Sequence, residues 1–154
     1  MSRQLSALLT VFFLFGCAPA LPHDASVRRI IDGDTIQLTS GQMVRYLGID
    51  APEVRRREGT RWVMDPQPFS EAATEANRRM VQGQRIHLEY DARTRDRFGR
   101  LLAYVSVGET MVNEELLKEG YARRLVIPPE EKYTDRLRAA EDEARRERRG
   151  LWGL

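Results

Sequence analysis

Three short strand-like runs lie close together near the start of the folded part of this chain, and they limit what it can become. Val27 to Ile31 reads as a strand. Asp32-Gly33-Asp34 follows as a turn signal, and Thr35 to Leu38 alternates apolar and polar residues. Ser40-Gly41 marks a second turn, and Met43 to Ile49 reads as a third strand. Asp50-Ala51-Pro52 ends it, because proline has no ladder donor. Strands this short, joined by turns this tight, suit an antiparallel sheet.

The rest of the pattern narrows the choice. Val54 to Pro68 is polar, arginine-rich and marked by prolines, so it reads as a long loop. Ser70 is placed as the N-cap of a helix carrying Ala72, Ala73, Ala76, Met80 and Val81 and stopping near Gly83. Arg85 to Tyr90 alternates as a half-buried strand, and Leu101 to Val107 is a further strand. A short helix through Val112, Leu116 and Leu117 ends at Gly120. Thr134 caps a last helix with Leu137, Ala140 and Ala144 on its apolar face. Three strands, a helix, two strands and two helices fit an α+β fold built on a five-stranded antiparallel barrel of the OB type. With 154 residues, 42% hydrophobic and 31% charged, the chain is large enough for one such domain with a proper core.

The N-terminus is set apart from this domain. Leu5 to Phe15 is an apolar run behind Arg3, too short for the roughly 20 residues that span a bilayer. It has the form of a secretory signal. The run ends in Leu14-Phe15-Gly16-Cys17, and Cys17 is the sole cysteine. This resembles a bacterial lipoprotein signal, which implies cleavage before Cys17 and lipidation of it; ordinary signal cleavage near Ala18-Pro19-Ala20 is the competing reading. The expected organisation is a signal peptide over residues 1–16, a lipidated tether over 17–26 and a folded domain over 27–154. The protein is then expected in the cell envelope, lipid-anchored to a bacterial membrane, or otherwise secreted.

The chemistry-bearing residues are carboxylates and arginines. Asp34 and Asp50 belong to two turn-like motifs, Asp32-Gly33-Asp34-Thr35 and Asp50-Ala51-Pro52-Glu53, with Arg45 between them and Arg100 in Phe98-Gly99-Arg100. Carboxylates suit hard cations such as Ca²⁺. Arginine forks hold phosphate bidentately and stay charged. The single Cys and two His leave little for Zn²⁺. The formal net charge is only +2, so global charge does not point to a polyanion. Local clusters do: Arg55, Arg56, Arg57 and Arg61, then Arg93, Arg95, Arg97 and Arg100.

Taken in order, Ile31-Asp32-Gly33-Asp34-Thr35, Val44-Arg45-Tyr46-Leu47, Gly48-Ile49-Asp50-Ala51-Pro52-Glu53, Asp96-Arg97-Phe98-Gly99-Arg100, Met111-Val112-Asn113-Glu114 and the final Gly150-Leu151-Trp152 resemble the staphylococcal nuclease family. The resemblance runs from about Ser26 to Trp152. It implies Ca²⁺-dependent cleavage of DNA or RNA phosphodiesters; a monomer is expected. It implies that Asp34, Asp50 and the Ala51 carbonyl ligate the metal. It implies that Glu53 orients or deprotonates water, and that Arg45 and Arg100 contact the phosphate. Three features depart from the best-known member: Ala51 in place of Thr, Phe98 in place of Tyr, and Leu125-Val126-Ile127-Pro128 in place of a tyrosine-bearing base pocket. Two other readings stay open at this point. One is a non-catalytic nucleic-acid-binding module, and the other is a phosphodiesterase of small or lipid-derived phosphates.

Overall fold

Alternation of buried and exposed residues builds the barrel that carries the site. The computed structural model describes residues 20–129 and 132–154. The expected signal peptide and Cys17 lie outside the described residues. The barrel strands are β1 (Asp24–Ile30), β2 (Thr35–Leu38), β3 (Met43–Tyr46), β7 (Arg85–Glu89) and β8 (Leu101–Val107). Between β3 and β7 come β4 (Ile49–Asp50), β5 (Arg55–Glu58), β6 (Arg61–Met64) and helix α1 (Ser70–Val81). After β8 come β9 (Thr110–Met111), α2 (Val112–Lys118), β10 (Arg123–Arg124), α3 (Thr134–Arg146) and a 3-10 turn at Gly150–Trp152. No helix among the described residues is long and apolar enough to cross a membrane.

The five barrel strands close in the order β1, β2, β3, β8, β7 and back to β1. Four seams are antiparallel and the β3–β8 seam is parallel. A closed ring with an odd number of strands cannot alternate direction all the way round, so one parallel seam is obligatory. β1 serves two neighbours. Its first half pairs with β7 through Asp24↔His87, and its second half pairs with β2 through Ile30↔Ile36. A register shift between Val27 and Arg29 gives the bend that lets one strand turn the corner.

Ile36, Leu38, Val44, Tyr46, Ile86 and Leu88 fill the barrel and are at most 2% exposed. β8 is buried continuously from Leu101 to Val105, because α2 covers its other face. Leu116 and Leu117 of α2 and Leu137 and Ala140 of α3 complete the core. Asn113 is a buried polar tie between these layers. Its amide accepts the Val105 N–H at 2.9 Å and donates to the Leu47 carbonyl at 2.8 Å.

Several expectations are corrected. β1 starts at Asp24, inside the segment read as tether, because residues 24–26 find a partner strand in β7. The third strand is broken after Tyr46, and Ile49–Asp50 pairs with β10 instead. Gly48 makes the break: its φ of +76° suits glycine, and a Cβ there would lie 2.4 Å from Leu137 Cδ1. The stretch read as a loop after Val54 contains the β5–β6 hairpin, with Arg55↔Met64 and Arg57↔Trp62 in register. Ser70 and Thr134 are first residues of their helices, not caps. Phe69, in a left-handed conformation at φ +70°, stands at the cap of α1.

Candidate active site

The two sequence motifs meet because the turn before β2 lies against the chain leaving β3. The Asp34 carbonyl accepts the Tyr46 N–H at 2.9 Å, and Thr35 sits opposite Arg45 in the β2–β3 ladder. Gly33 permits the approach. A Cβ at that position would fall 2.6 Å from Ala51 Cβ and 2.8 Å from Ala73 Cβ, so any side chain would push the turn off α1 and off the second motif. Behind the turn, Tyr46 Oη donates to Asn77 Oδ1 at 2.8 Å, and Asn77 Nδ2 donates to the Asp32 carbonyl at 2.9 Å. This buried relay fixes the height of the turn above the barrel.

Asp34 is the hub. It is 2% exposed. Its Oδ1 accepts the Thr35 hydroxyl at 3.0 Å, and its Oδ2 accepts the Ala51 N–H at 2.6 Å. Arg45 Nη1 also contacts Asp34 Oδ2, while its Nη2 donates to Asp50 Oδ1 at 2.6 Å. One guanidinium therefore ties both motifs together. Asp50 is half-exposed and is held from outside by its Arg123 partner in β10. β10 is itself fastened to α3, where buried Glu141 Oε1 accepts the Arg124 N–H at 2.8 Å. The C-terminal helix thus bears on the site through a side-chain hydrogen bond to β10 and the β10–β4 backbone pairing.

Arg100 reaches the same end of the barrel because β8 runs beside β3, with Leu101 opposite Val44 and Leu102 opposite Arg45. Asp96 presents it: Arg100 Nε donates to Asp96 Oδ2 at 2.6 Å, and the N–H groups of Phe98 and Arg100 donate to Asp96 Oδ1 at 2.9 and 3.0 Å. Burial pulls the Asp96 pKa upward, but these hydrogen bonds outweigh it and hold the group below the usual carboxylate range. Asp96 therefore stays ionised and keeps Arg100 aimed. Phe98 is exposed and flanked by Arg97 and Arg100, whose guanidiniums lie 4.7 and 5.7 Å from its ring centre.

Glu53 is solvent-accessible, yet its carboxyl is pushed above the usual range. Burial against neighbouring atoms is the main cause, Asp32 adds to it, Arg45 and Arg100 oppose it, and Asp50 raises it further. Its backbone is clamped by Gln67: the Glu53 N–H donates to Gln67 Oε1 and the Gln67 N–H to the Glu53 carbonyl, both at 2.9 Å. Asp32 is also raised, first by burial, against the pull of Arg45. It is a turn residue, with Oδ1 accepting the Asp34 N–H at 3.0 Å.

The structure thus joins Asp34, Arg45, Asp50 and Ala51 by direct bonds and places Glu53 and Arg100 within their electrostatic reach. Asp96, Gln67, Asn77 and Tyr46 support them and were given no role from sequence. The signal for Asp96 is its place at the head of the Asp96-Arg97-Phe98-Gly99 turn, where an aspartate accepts the following N–H groups. Gln67 has no such signal, since its part depends on the hairpin that returns it to Glu53.

The donor set fits a hard cation. The available ligands are oxygens only, from Asp34, Asp50 and the Ala51 carbonyl. Four carboxylates, Asp32, Asp34, Asp50 and Glu53, gather around the guanidiniums of Arg45 and Arg100, which leaves negative charge in excess. Among the described residues no group of three or more His, Cys, Asp or Glu stands together in metal-holding geometry. Side chains would supply only two ligands, with water and backbone filling the rest. Beside this cluster lies a cleft of about 240 Å³ lined by Arg45, Arg100, Tyr104, Leu125, Val126 and Ile127, among others. Its aliphatic wall offers apolar contact.

Comparison with known proteins agrees with the motif reading. A family described as "Staphylococcal nuclease homologue" matches residues 43–153. The thermonuclease of Staphylococcus intermedius is 37% identical over 129 residues, covering 82% of this chain and 74% of the relative. The thermonuclease of Staphylococcus hyicus is 36% identical over 140 residues, covering 89% and 80%. The SPbeta prophage-derived endonuclease YokF of Bacillus subtilis (strain 168) is 41% identical over 134 residues, covering 84% of this chain and 44% of the relative.

Proposed function

We propose that this chain, which belongs to the staphylococcal nuclease family, is a Ca²⁺-dependent nuclease that hydrolyses phosphodiester bonds of DNA, RNA or both. The observation that carries this reading is the convergence of Asp34, Arg45, Asp50, Glu53 and Arg100 on one barrel end. A module that only bound nucleic acid would need the arginines but not Asp34, Asp50 and Glu53 gathered beside them.

The chemistry follows from the placement. Arg45 and Arg100 take the non-bridging oxygens of the scissile phosphate and stabilise the charge that builds there. Glu53 accepts a proton from the water that attacks phosphorus, the new P–O bond forms, and the bond to the leaving oxygen breaks. Asp34 and Asp50 would hold the cation with the Ala51 carbonyl, and Ca²⁺ when bound supplies Lewis-acid neutralisation of a phosphate oxygen. All these groups come from one chain, so a monomer suffices.

Chelation tests the metal assignment. EGTA is expected to abolish degradation of plasmid DNA and added Ca²⁺ to restore it. Full activity in chelator contradicts the metal site, and a preference for Mg²⁺ changes only the identity of the cation.

We also infer that Cys17 carries a lipid and holds the domain at a membrane. The apolar run before Cys17 and the proline-bearing residues after it support this. A single acyl chain anchors weakly and several anchor stably. Cys17→Ser is expected to move the protein from the membrane to the soluble fraction of expressing bacteria, with the specific activity of the folded domain unchanged. A wild-type protein found wholly soluble contradicts the anchor.

A further inference from the structure

The β5–β6 hairpin is built with two different faces. Residues directly opposite one another in an antiparallel pair share a face. Arg55 with Met64, and Arg57 with Trp62, therefore lie on one side, while Arg56 with Val63, and Glu58 with Arg61, lie on the other. On the second side charge is balanced. Arg56 Nη2 lies 2.6 Å from Glu58, and Arg56 Nε lies 2.5 Å from Asp65. On the first side Arg55 and Arg57 have no ion pair among the described residues, although Arg57 Nε donates to the Gly59 carbonyl at 2.9 Å. Between and beside them Trp62 is 66% exposed and Met64 is 68% exposed.

That arrangement is costly unless it is used. A lone two-stranded ribbon is marginal in water, and this one buries nothing beyond the half-buried Val63. It is nevertheless anchored to the site. Asp65 N–H donates to the Val54 carbonyl at 3.2 Å, and the Glu53–Gln67 pair closes the base of the ribbon. Whatever lies on the ribbon is therefore in register with Glu53, two residues before Arg55.

We propose that the Arg55, Arg57, Trp62 and Met64 face of this hairpin is a clasp for single-stranded nucleic acid, holding the strand beyond the scissile phosphate. The proposal rests on the nuclease reading and names a substrate-contacting element of the same site. Charge and shape both select the occupant. Guanidiniums without a carboxylate partner match successive phosphates, and a solvent-facing indole offers a flat surface for a base that is not paired. Stacking of this kind is sequence-tolerant, and with a basic track it is how strands are held without base readout. A duplex keeps its bases stacked inside and presents no free face to Trp62.

Two substrates separate the clasp from the chemistry. One is a 12-residue single-stranded oligonucleotide, and the other is a p-nitrophenyl phosphodiester too small to reach the hairpin. Trp62→Ala is expected to raise KM for the oligonucleotide about ten-fold, in line with the loss of one stacked base, while kcat stays within about two-fold. Both parameters should be unchanged on the small diester. Trp62→Phe should restore most of the lost KM, because the ring face is retained. The Arg55→Ala, Arg57→Ala double variant should raise KM and flatten its salt dependence. Arg56→Ala, on the balanced face, should change neither. Unchanged oligonucleotide KM in Trp62→Ala, with the small diester still cleaved, overturns the clasp and leaves the nuclease reading intact. So does Trp62-dependent retention on anionic vesicles with no effect on the oligonucleotide. If the wild type cleaves neither substrate, the nuclease reading fails. The clasp is then decided by quenching of Trp62 fluorescence in a Trp152→Phe background: quenching by the oligonucleotide supports it, and none overturns it.

Discussion

Glu53→Gln is expected to lower kcat for DNA hydrolysis by at least about 10²-fold, the usual worth of a general base, and to leave DNA affinity in Ca²⁺ nearly unchanged. The substitution keeps the shape of the side chain and its clamp, since Gln67 holds the backbone of residue 53 and not its carboxyl. Only the charge and the proton-accepting oxygen are lost. Stability gives an independent readout. The folded-state pKa of Glu53 is raised, by burial first and then by Asp32. The folded protein then binds this proton more tightly than the unfolded chain does. Stability is fully supported below the ordinary glutamate pKa and declines as pH rises through the raised value. In chelator, denaturant titrations should show wild type losing ground to Glu53→Gln across that window. Equal turnover by the variant would return the base role to another group.

Arg100→Ala is expected to cost about 10²- to 10³-fold in kcat, comparable to removing one preorganised donor to a developing oxyanion, and to weaken binding of the DNA as well. Its partner is the phosphate itself, so ground state and transition state both lose. The effect on folding should be small. Arg100 is one-third exposed, and Asp96 keeps its hydrogen bonds from the Phe98 and residue-100 N–H groups. Arg45→Ala is a less clean probe, because it strips the buried Asp34 of its counter-ion and destabilises the fold itself. Arg97→Ala is the control. Arg97 lies over the Phe98 ring and outside the cluster. It should alter salt-sensitive affinity modestly and turnover little. Comparing kcat and KM of the two variants on the same DNA checks the assignment, and equal turnover losses at Arg97 and Arg100 would contradict it.

The barrel was legible in the sequence because its strands alternate. Ile86 and Leu88 against Arg85 and His87 leave no doubt about which face is buried. The β5–β6 hairpin was not legible, because both of its strands face water and therefore lack a period-two hydrophobic signal. The extension of β1 to Asp24 was hidden for a related reason: its pairing partner is β7, sixty residues away in sequence, and Asp24 and Ser26 are polar. Ser70 looked like a cap because serine is among the residues favoured at helix N-caps. Here its hydroxyl is buried without a partner among the described residues, and a left-handed Phe69 takes the capping position. In the site, Asp34, Asp50 and Arg45 announced themselves through turn chemistry and charge. The role of Gly33 was read as turn-making, whereas its conformation is ordinary and the lack of a Cβ is what lets the turn rest on Ala51 and Ala73. Asn77 and Tyr46 carried no signal, since a helix amide and a strand phenol meet only in the folded core.

The most direct test of the account is cleavage of denatured DNA by the wild-type chain in EGTA, by the wild-type chain with Ca²⁺ added back, and by Glu53→Gln in Ca²⁺, with retention of the DNA measured in the same samples. Acid-soluble products are expected from the second sample alone, and retained but intact DNA with the variant. Retained, intact DNA with the wild-type chain in Ca²⁺ would contradict the nuclease reading and make this barrel a binding module.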